Sequence, residues 1–317
     1  MALQRHSGLL VPREELLPQS ACCSVCRGAQ MRKVFPAQDD PPVWFRRCAT
    51  CAVVSADRMP NGDLLNRYYR EYYGDSPLGG REQQVTVSAI RRLAGHIVTV
   101  AVPRSLAKGY FRILDFGGGD GAVSLAVADH VRRRGAEHVE ITVVDPSNSS
   151  IEENGPIRRK AFLSDEDAEA FDLVIASAVI EHVADPGRTL RVLFDCLAPG
   201  AAFYARTPYH EAMAQLAGRF GRHLDLGYPA HLHDMGAHFW DGILHHLGLA
   251  DEDLVVTRSS PSVVASSWSS RFWKTLAAYC LKAPWWLLGH RWRFVGGWEA
   301  VISRPTPGPS SASTAER

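Results

Sequence analysis

The stretch Ile113-Leu-Asp-Phe-Gly-Gly-Gly-Asp-Gly121 constrains the fold of this chain more than any other. A short apolar strand, Phe111 to Phe116, stops at a glycine run, and Asp115, Gly117, Gly119 and Gly121 form D-x-G-x-G-x-G at a strand-to-helix junction. Glycine there permits a tight turn and lets the backbone approach a ligand closely. The following strand, Ile141-Thr-Val-Val-Asp145, ends in a carboxylate 24 residues after Gly121. That is close to the ~20-residue offset at which an acid accepts hydrogen bonds from ribose hydroxyls. Loop and acid together predict a ribose-bearing ligand at the carboxyl ends of parallel strands.

The surrounding pattern agrees. Helical periodicity over Val85 to Ala101 leads into the first strand, and strands at Glu140 to Val144, Phe171 to Ala176 and Ala201 to Arg206 alternate with helical segments. This is the order of a doubly wound α/β sheet. A chain of 317 residues, 46% hydrophobic and 22% charged, suffices for one large domain and a small module. Its 35 Lys and Arg against 34 Asp and Glu leave a net +1, which argues against a dedicated nucleic-acid binder. No apolar run reaches the ~18 residues of a membrane span. The best, Leu276 to Leu288, is broken by Lys282 and Pro284. The first residues hold only the apolar run Leu9 to Val11 and no signal-peptide core, so a cytoplasmic location is expected. Residues 1–20 and the Pro-, Ser- and Thr-rich tail 304–317 are expected to be disordered.

A dinucleotide would place its pyrophosphate on the helix N-terminus, where the carboxylate of Asp115 opposes it. A ligand with an ammonium group would be attracted instead. On these residues the chain resembles the class I S-adenosylmethionine-dependent methyltransferases. In that family the glycine loop holds the amino-acid end of the cofactor, and the acid ending the second strand, here Asp145, holds its ribose. The resemblance extends through Ala170 to Ser177, similar to the fourth strand, and Leu197-Ala-Pro-Gly-Ala201, similar to the turn before the fifth. It covers residues 80–303 and implies a seven-stranded Rossmann-like α/β fold with S-adenosyl-L-methionine as cofactor. It also implies Ser177 beside the cofactor and Leu163, Ser164 and Asp165 at the adenine. Asp165 reads equally well as a helix N-cap.

Five of the seven cysteines, Cys22, Cys23, Cys26, Cys48 and Cys51, crowd into thirty residues. In a reducing compartment such a cluster points to metal rather than disulfides. Cys23-x2-Cys26 and Cys48-x2-Cys51 flank the strand-prone pieces Met31 to Phe35 and Val43 to Arg47, which describes a zinc ribbon over residues 21–56. Four thiolates close a tetrahedral structural site with no open position. Cys22 could replace Cys23 if the knuckle were one residue wider. A helix over Gly62 to Tyr73 falls in a linker at 57–79. The cysteine pairs followed by Arg67-Tyr-Tyr-Arg-Glu-Tyr-Tyr-Gly74 resemble bacterial methyltransferases that carry an N-terminal zinc-binding domain. Many of these act on sugars, polysaccharide precursors or other secondary metabolites, which implies a small-molecule or glycan acceptor. The related sugar C-methyltransferases usually carry a further large C-terminal domain for which this chain has no room, so O-methylation is expected.

Glu181-His-Val183 resembles the E-H-V signature that ends the family's fourth strand. His182 suits removal of a proton from an acceptor hydroxyl near neutral pH, and packing against the cofactor is the alternative. Ubiquinone-type O-methyltransferases place a further glutamate three residues earlier to complete a metal site. Ala178 stands there in this chain, which argues against a divalent metal in the active site. Tyr228-Pro-Ala-His-Leu-His233 resembles the family's P-x-H-L segment, so His231 and His233 are candidates either to face the acceptor or to brace a loop.

Six of the eight tryptophans lie in the segment 268–298, between expected strands at Leu254 to Arg258 and Trp298 to Ser303. Such an arm could cover the acceptor, form a homodimer, contact a membrane peripherally or pack in the core. Two other functions stay open. One is an RNA-modifying methyltransferase with Arg132 to Arg134 and Arg158 to Lys160 as a basic face. The other is a catalytically inactive cofactor-binding or interaction protein.

Overall fold

A computed structural model describes residues 10–73, 89–104, 106, 109–146, 157–163, 170–222, 224, 227–250, 253–264 and 272–306. In the N-terminal part these form β1 (Met31–Gln38), β2 (Val43–Cys48), β3 (Val54–Ala56) and helix α1 (Gly62–Tyr73). Then come α2 (Ile90–Ala101), β4 (Tyr110–Phe116), α3 (Ala122–Arg132), β5 (His138–Val144), β6 (Ile157–Lys160) and β7 (Phe171–Ser177). After these run α4 (Pro186–Asp195), β8 (Leu197–Tyr209), α5 (Glu211–Arg219), β9 (His233–Asp234), α6 (Ala237–Asp241) and α7 (Ile243–His246). The last elements are β10 (Val255–Pro261), α8 (Phe272–Lys282), α9 (Trp285–Leu288) and β11 (Gly296–Ser303).

Seven strands join in the order β10-β11-β8-β7-β4-β5-β6. The pairs β4 with β5, β4 with β7, β5 with β6 and β7 with β8 are parallel, whereas β11 is antiparallel to both β8 and β10. Successive residues explain why both faces are covered, since side chains alternate across a strand. Ile113, Leu173 and Tyr204 pack with Leu93 and Ile97 of α2 and Val127 and Val131 of α3. Their neighbours Leu114, Val174 and Phe203 pack on the other face with Leu190 and Phe194 of α4 and Trp240 of α6. The sheet is therefore doubly wound, as the sequence predicts.

A buried carboxylate ties helix α2 to the last two strands. Glu299 of β11 meets His96 Nε2 at 2.8 Å, Arg258 Nε at 2.8 Å and the hydroxyl of Tyr204 at 3.2 Å. Burial raises its pKa, but the His96 and Arg258 contacts outweigh that and leave it below the usual glutamate value.

The cysteine-bearing segment forms its own antiparallel sheet in the order β1-β2-β3-β9. Its fourth strand comes from far along the chain, with Val54 paired to Asp234 and Ser55 to His233. The first knuckle lies on the start of α4, where a Cβ on Gly187 would stand 2.8 Å from the carbonyl oxygen of Val25. Arg27 pairs there with Asp185 at 2.6 Å. The buried Glu211 receives both Arg47 of β2 and Arg293 before β11. The small module thus takes its fourth strand from a segment far along the chain and shares core and ion pairs with the elements around the large sheet.

Two expectations about the ends are corrected or fall outside view. Disorder does not extend over residues 10–20, because Val11 is fully buried and the Gln38 side chain bonds both its N–H and its carbonyl. Of the tail, Arg304 is tied in through backbone bonds to Gly200 and Ala201, and residues 307–317 lie outside the described residues.

Candidate active site

The glycine loop follows β4 and opens α3. Gly117, Gly119 and Gly121 have φ of 71°, 54° and 78°, a left-handed backbone that disfavours other residues. Close packing adds a second requirement at Gly117 and Gly118. A Cβ on Gly117 would sit 2.3 Å from Val179 Cγ2, and one on Gly118 would sit 2.5 Å from Asp115 Cγ. At Gly119 a Cβ would meet nothing within 4 Å among the described residues, which leave that side of the loop open.

Asp115 lies beneath the loop, 3% exposed, and its Oδ2 has no hydrogen-bond partner among the described residues. Burial pushes its pKa up to about 7, with a hydrogen bond involving Ser124 pulling against it and the nearby Asp145 charge adding to it. A buried carboxylate oxygen without a partner fits a ligand that brings an ammonium group. Asp145, just beyond β5, accepts the backbone N–H of Gly119 at 3.0 Å. Arg159 of β6 braces the same loop by donating to the carbonyls of Gly119 and Asp120 at 3.3 and 3.0 Å. Sequence reasoning missed Gly118 and Arg159. The basic run 158–160 gives no hint that one of its guanidinium groups turns inward.

The carboxyl end of β7 carries the second half of the site. Ser177 Oγ is buried without a hydrogen-bond partner among the described residues. Ala178 has a left-handed φ of 59°, unusual for a residue with a Cβ. Val179 abuts Gly117 and starts a turn, Ile180–His182, that carries Glu181 and His182. The loop before β9 is fastened to this turn. Leu232 N–H donates to the Glu181 carbonyl at 2.8 Å, and His182 Nδ1–H donates to the Ala230 carbonyl at 3.0 Å.

The rings of His182 and His231 lie 4.7 Å apart at 69°. The ligand atoms of Glu181, His182 and His231 all fall within 4.8 Å of one another. His233 is not part of this group. Its ring is buried, with Nε2–H donating to the Val183 carbonyl at 2.9 Å, so Nδ1 accepts from the Ser55 hydroxyl at 2.8 Å. Burial pushes its pKa down to about 4, and the ring joins β3 to the turn. Ser164 and Asp165 lie outside the described residues, and Leu163 packs against the core.

At the other module the sulfur atoms of Cys23, Cys26, Cys48 and Cys51 all lie within 4.8 Å of one another. Cys23 and Cys51 approach to 3.5 Å and Cys26 and Cys48 to 3.6 Å, near the ~3.8 Å edge of a tetrahedron with ~2.3 Å zinc–sulfur bonds. Cys22 is not among the four, so the geometry of the residues present fits zinc without it. A separate cleft of 510 Å³ lies between this knuckle and α4, lined by Arg27, Asp185, Arg188, Arg191 and His246 among others. It shares no residue with the glycine loop.

A family model described as a methyltransferase domain matches residues 81–254, more than half of the chain. The chain belongs to that methyltransferase family. Its seven-stranded sheet is the Rossmann-like fold of methyltransferases that use S-adenosylmethionine. The methyltransferase is 33% identical over 137 residues to a ubiquinone biosynthesis O-methyltransferase of Caulobacter sp. (strain K31), covering 39% of this chain and 51% of that one. It therefore spans about half the length of that relative. Among solved structures, the plantazolicin methyltransferase BpumL in complex with SAH is 14% identical, with 77% of this chain and 98% of that chain covered and a TM-score of 0.45. A putative methyltransferase in complex with the Haloferax volcanii Trm112 activator is 16% identical, with 77% and 97% covered and a TM-score of 0.44.

Proposed function

We propose that the methyltransferase transfers a methyl group from S-adenosylmethionine to a hydroxyl oxygen of a sugar, polysaccharide precursor or other small metabolite. One observation carries this reading. Val179 contacts the glycine loop at Gly117 and starts the turn that bears Glu181 and His182, so cofactor loop and polar cluster share one wall. The sulfonium of S-adenosylmethionine already activates the methyl group, so the chain's task is chiefly alignment. Asp115 would receive the cofactor's ammonium and Asp145 its ribose, while Glu181, His182 and His231 surround the acceptor oxygen as it loses its proton. His233 braces this wall from behind.

Zinc bound by Cys23, Cys26, Cys48 and Cys51 would fold the small module and so hold β3 against β9. The arm of α8 and α9 leaves Trp273 and Trp286 more than three-quarters exposed, and the chain has no Asp or Glu from residue 254 to residue 298. Both features support peripheral contact with a membrane surface that carries a lipid-linked acceptor. Among the described residues no helix is long and apolar enough to cross a membrane.

The RNA reading is not favoured, because two residues of its basic face are engaged within the fold. Arg134 donates to the carbonyls of Val98, Val102 and Pro103, and Arg159 is occupied by the glycine loop. The deciding experiment is a screen of hydroxylated acceptors with methyl-labelled cofactor, reading label transfer by mass spectrometry and the oxygen linkage by NMR. Label appearing on nitrogen or carbon, or on RNA alone, would replace the O-methylation reading.

A further inference from the structure

Glu181, His182 and His231 offer one carboxylate oxygen and two imidazole nitrogens within 4.8 Å of one another. They come from two distant segments, the turn after β7 and the loop before β9. Three hydrogen bonds clamp these segments: Leu232 to Glu181 at 2.8 Å, His182 to Ala230 at 3.0 Å and His233 to Val183 at 2.9 Å.

The middle bond decides the chemistry. A carbonyl can only accept, so Nδ1 of His182 carries a hydrogen, and in the neutral ring the lone pair is then on Nε2. That is how metal-bound histidines are held, with the second nitrogen donating to a carbonyl or carboxylate. His231 stands edge-on to this ring at 4.7 Å. Small side-chain rotations would bring all three donors onto one ion at ~2.1 Å. The left-handed Ala178, φ 59°, costs on the order of 1 kcal/mol or more, and strain of this kind collects where a functional group must be placed.

We propose that Glu181, His182 and His231 bind one divalent first-row transition-metal ion, which activates the acceptor hydroxyl. The inference rests on the methyl-transfer reading above and deepens it. Two imidazoles and a carboxylate suit manganese, iron, cobalt or zinc better than magnesium or calcium. Three protein ligands leave positions open for the acceptor, whereas the four-thiolate module leaves none. A hydroxyl on such an ion ionises more readily. Its proton leaves to solvent, the new oxygen–carbon bond forms, and the sulfur–carbon bond breaks with its electron pair going to sulfur. His231 supplies the third ligand from another loop.

Mn(II) is the probe, read by loss of its free paramagnetic resonance signal on titration of the full chain. As a hard ion it competes poorly for the four thiolates. One Mn(II) per chain is expected, with binding at least tenfold weaker in His231→Ala and in Glu181→Gln. Calorimetry of S-adenosylmethionine on each variant reports whether it has kept its fold. Should Glu181→Gln fail to fold, the partly exposed His231 carries the test alone. Wild-type protein that takes up no Mn(II) at millimolar concentration while still binding the cofactor overturns the metal site and leaves the methyl-transfer reading standing. Equal affinity in His231→Ala also overturns it. A wild-type chain that binds Mn(II) but not the cofactor would defeat the methyl-transfer reading instead.

Discussion

Asp145 and Gly119 are joined by a backbone hydrogen bond of 3.0 Å, which sets the carboxylate after β5 against the open side of the glycine loop. Of the three left-handed glycines in this loop, only Gly119 has no described residue within 4 Å of where its Cβ would stand. A ligand lying there would meet Asp145 directly. Loss of two charge-assisted hydrogen bonds to ribose costs on the order of 3 kcal/mol, about a hundredfold in affinity. Calorimetry on Asp145→Ala should show that loss, and Asp145→Asn, which keeps an acceptor, should lose less. Affinity unchanged in both would remove Asp145 from the cofactor site.

Asp115 gives the chain a pH signature. Its folded pKa of about 7 lies above the ~3.9 of an unfolded aspartate, so the folded state holds a proton that the unfolded state releases. Its contribution to stability is complete below about pH 4 and fades as pH rises through about 7, by up to ~4 kcal/mol. The cofactor-free protein should therefore melt progressively lower over that window, and Asp115→Asn should flatten the slope. An ammonium-bearing cofactor draws out the ionised form, so binding near pH 6 should release a proton. Calorimetry in buffers of different ionisation heat measures that release. A slope that survives in Asp115→Asn would show that other groups set it.

Metal should be inseparable from the small module. About one equivalent of zinc is expected in protein purified without added metal, lost in Cys48→Ser and retained in Cys22→Ser. Because β3 pairs with β9 and His233 bonds Ser55, stripping the metal should loosen the His231 loop as well. Methyl transfer should then fall further than cofactor affinity. Zinc retained in Cys48→Ser would mean a different ligand set.

Glu299 should behave as a structural hub. Replacing it with glutamine leaves His96 and the one-third-exposed Arg258 facing a neutral, buried amide, and because solvent screens the arginine the change is worth about 1–3 kcal/mol. Its folded pKa is depressed, so its stabilisation is present above the unfolded glutamate value and disappears as pH falls through the folded value. The melting difference between wild type and Glu299→Gln should shrink in acid. A difference that stays constant down to the acid limit would locate the effect in packing.

What was legible in the sequence was local. The strand before Gly117, the acid at 145 and the paired cysteines each combine residues that lie within a few turns of chain. β6 was not legible, because an edge strand needs few apolar residues and Ile157-Arg-Arg-Lys160 reads as a charge run. β9 has only two residues, and its pairing with β3 joins positions 55 and 233. The same limit hid the company of His182. Adjacent Glu181 is visible in the sequence, whereas His231 arrives through tertiary pairing of a loop 49 residues away.

The tryptophan arm shows what periodicity could not decide, because the adjacent Trp285 and Trp286 face different surroundings. Trp285 packs edge-on to Trp298 of β11 at 6.0 Å, while Trp286 is 78% exposed. Truncating a partly buried, packed indole costs on the order of 2 kcal/mol, whereas truncating an exposed side chain stays within ~0.5 kcal/mol. Trp285→Ala should therefore lower the melting temperature, and Trp286→Ala should leave it unchanged. If the exposed rings meet a membrane, Trp286→Ala combined with Trp273→Ala should reduce sedimentation with anionic vesicles without altering cofactor affinity. Full vesicle binding in that double variant would free the arm's outer face from a membrane role, and a loss of acceptor turnover in the absence of vesicles would return it to the acceptor.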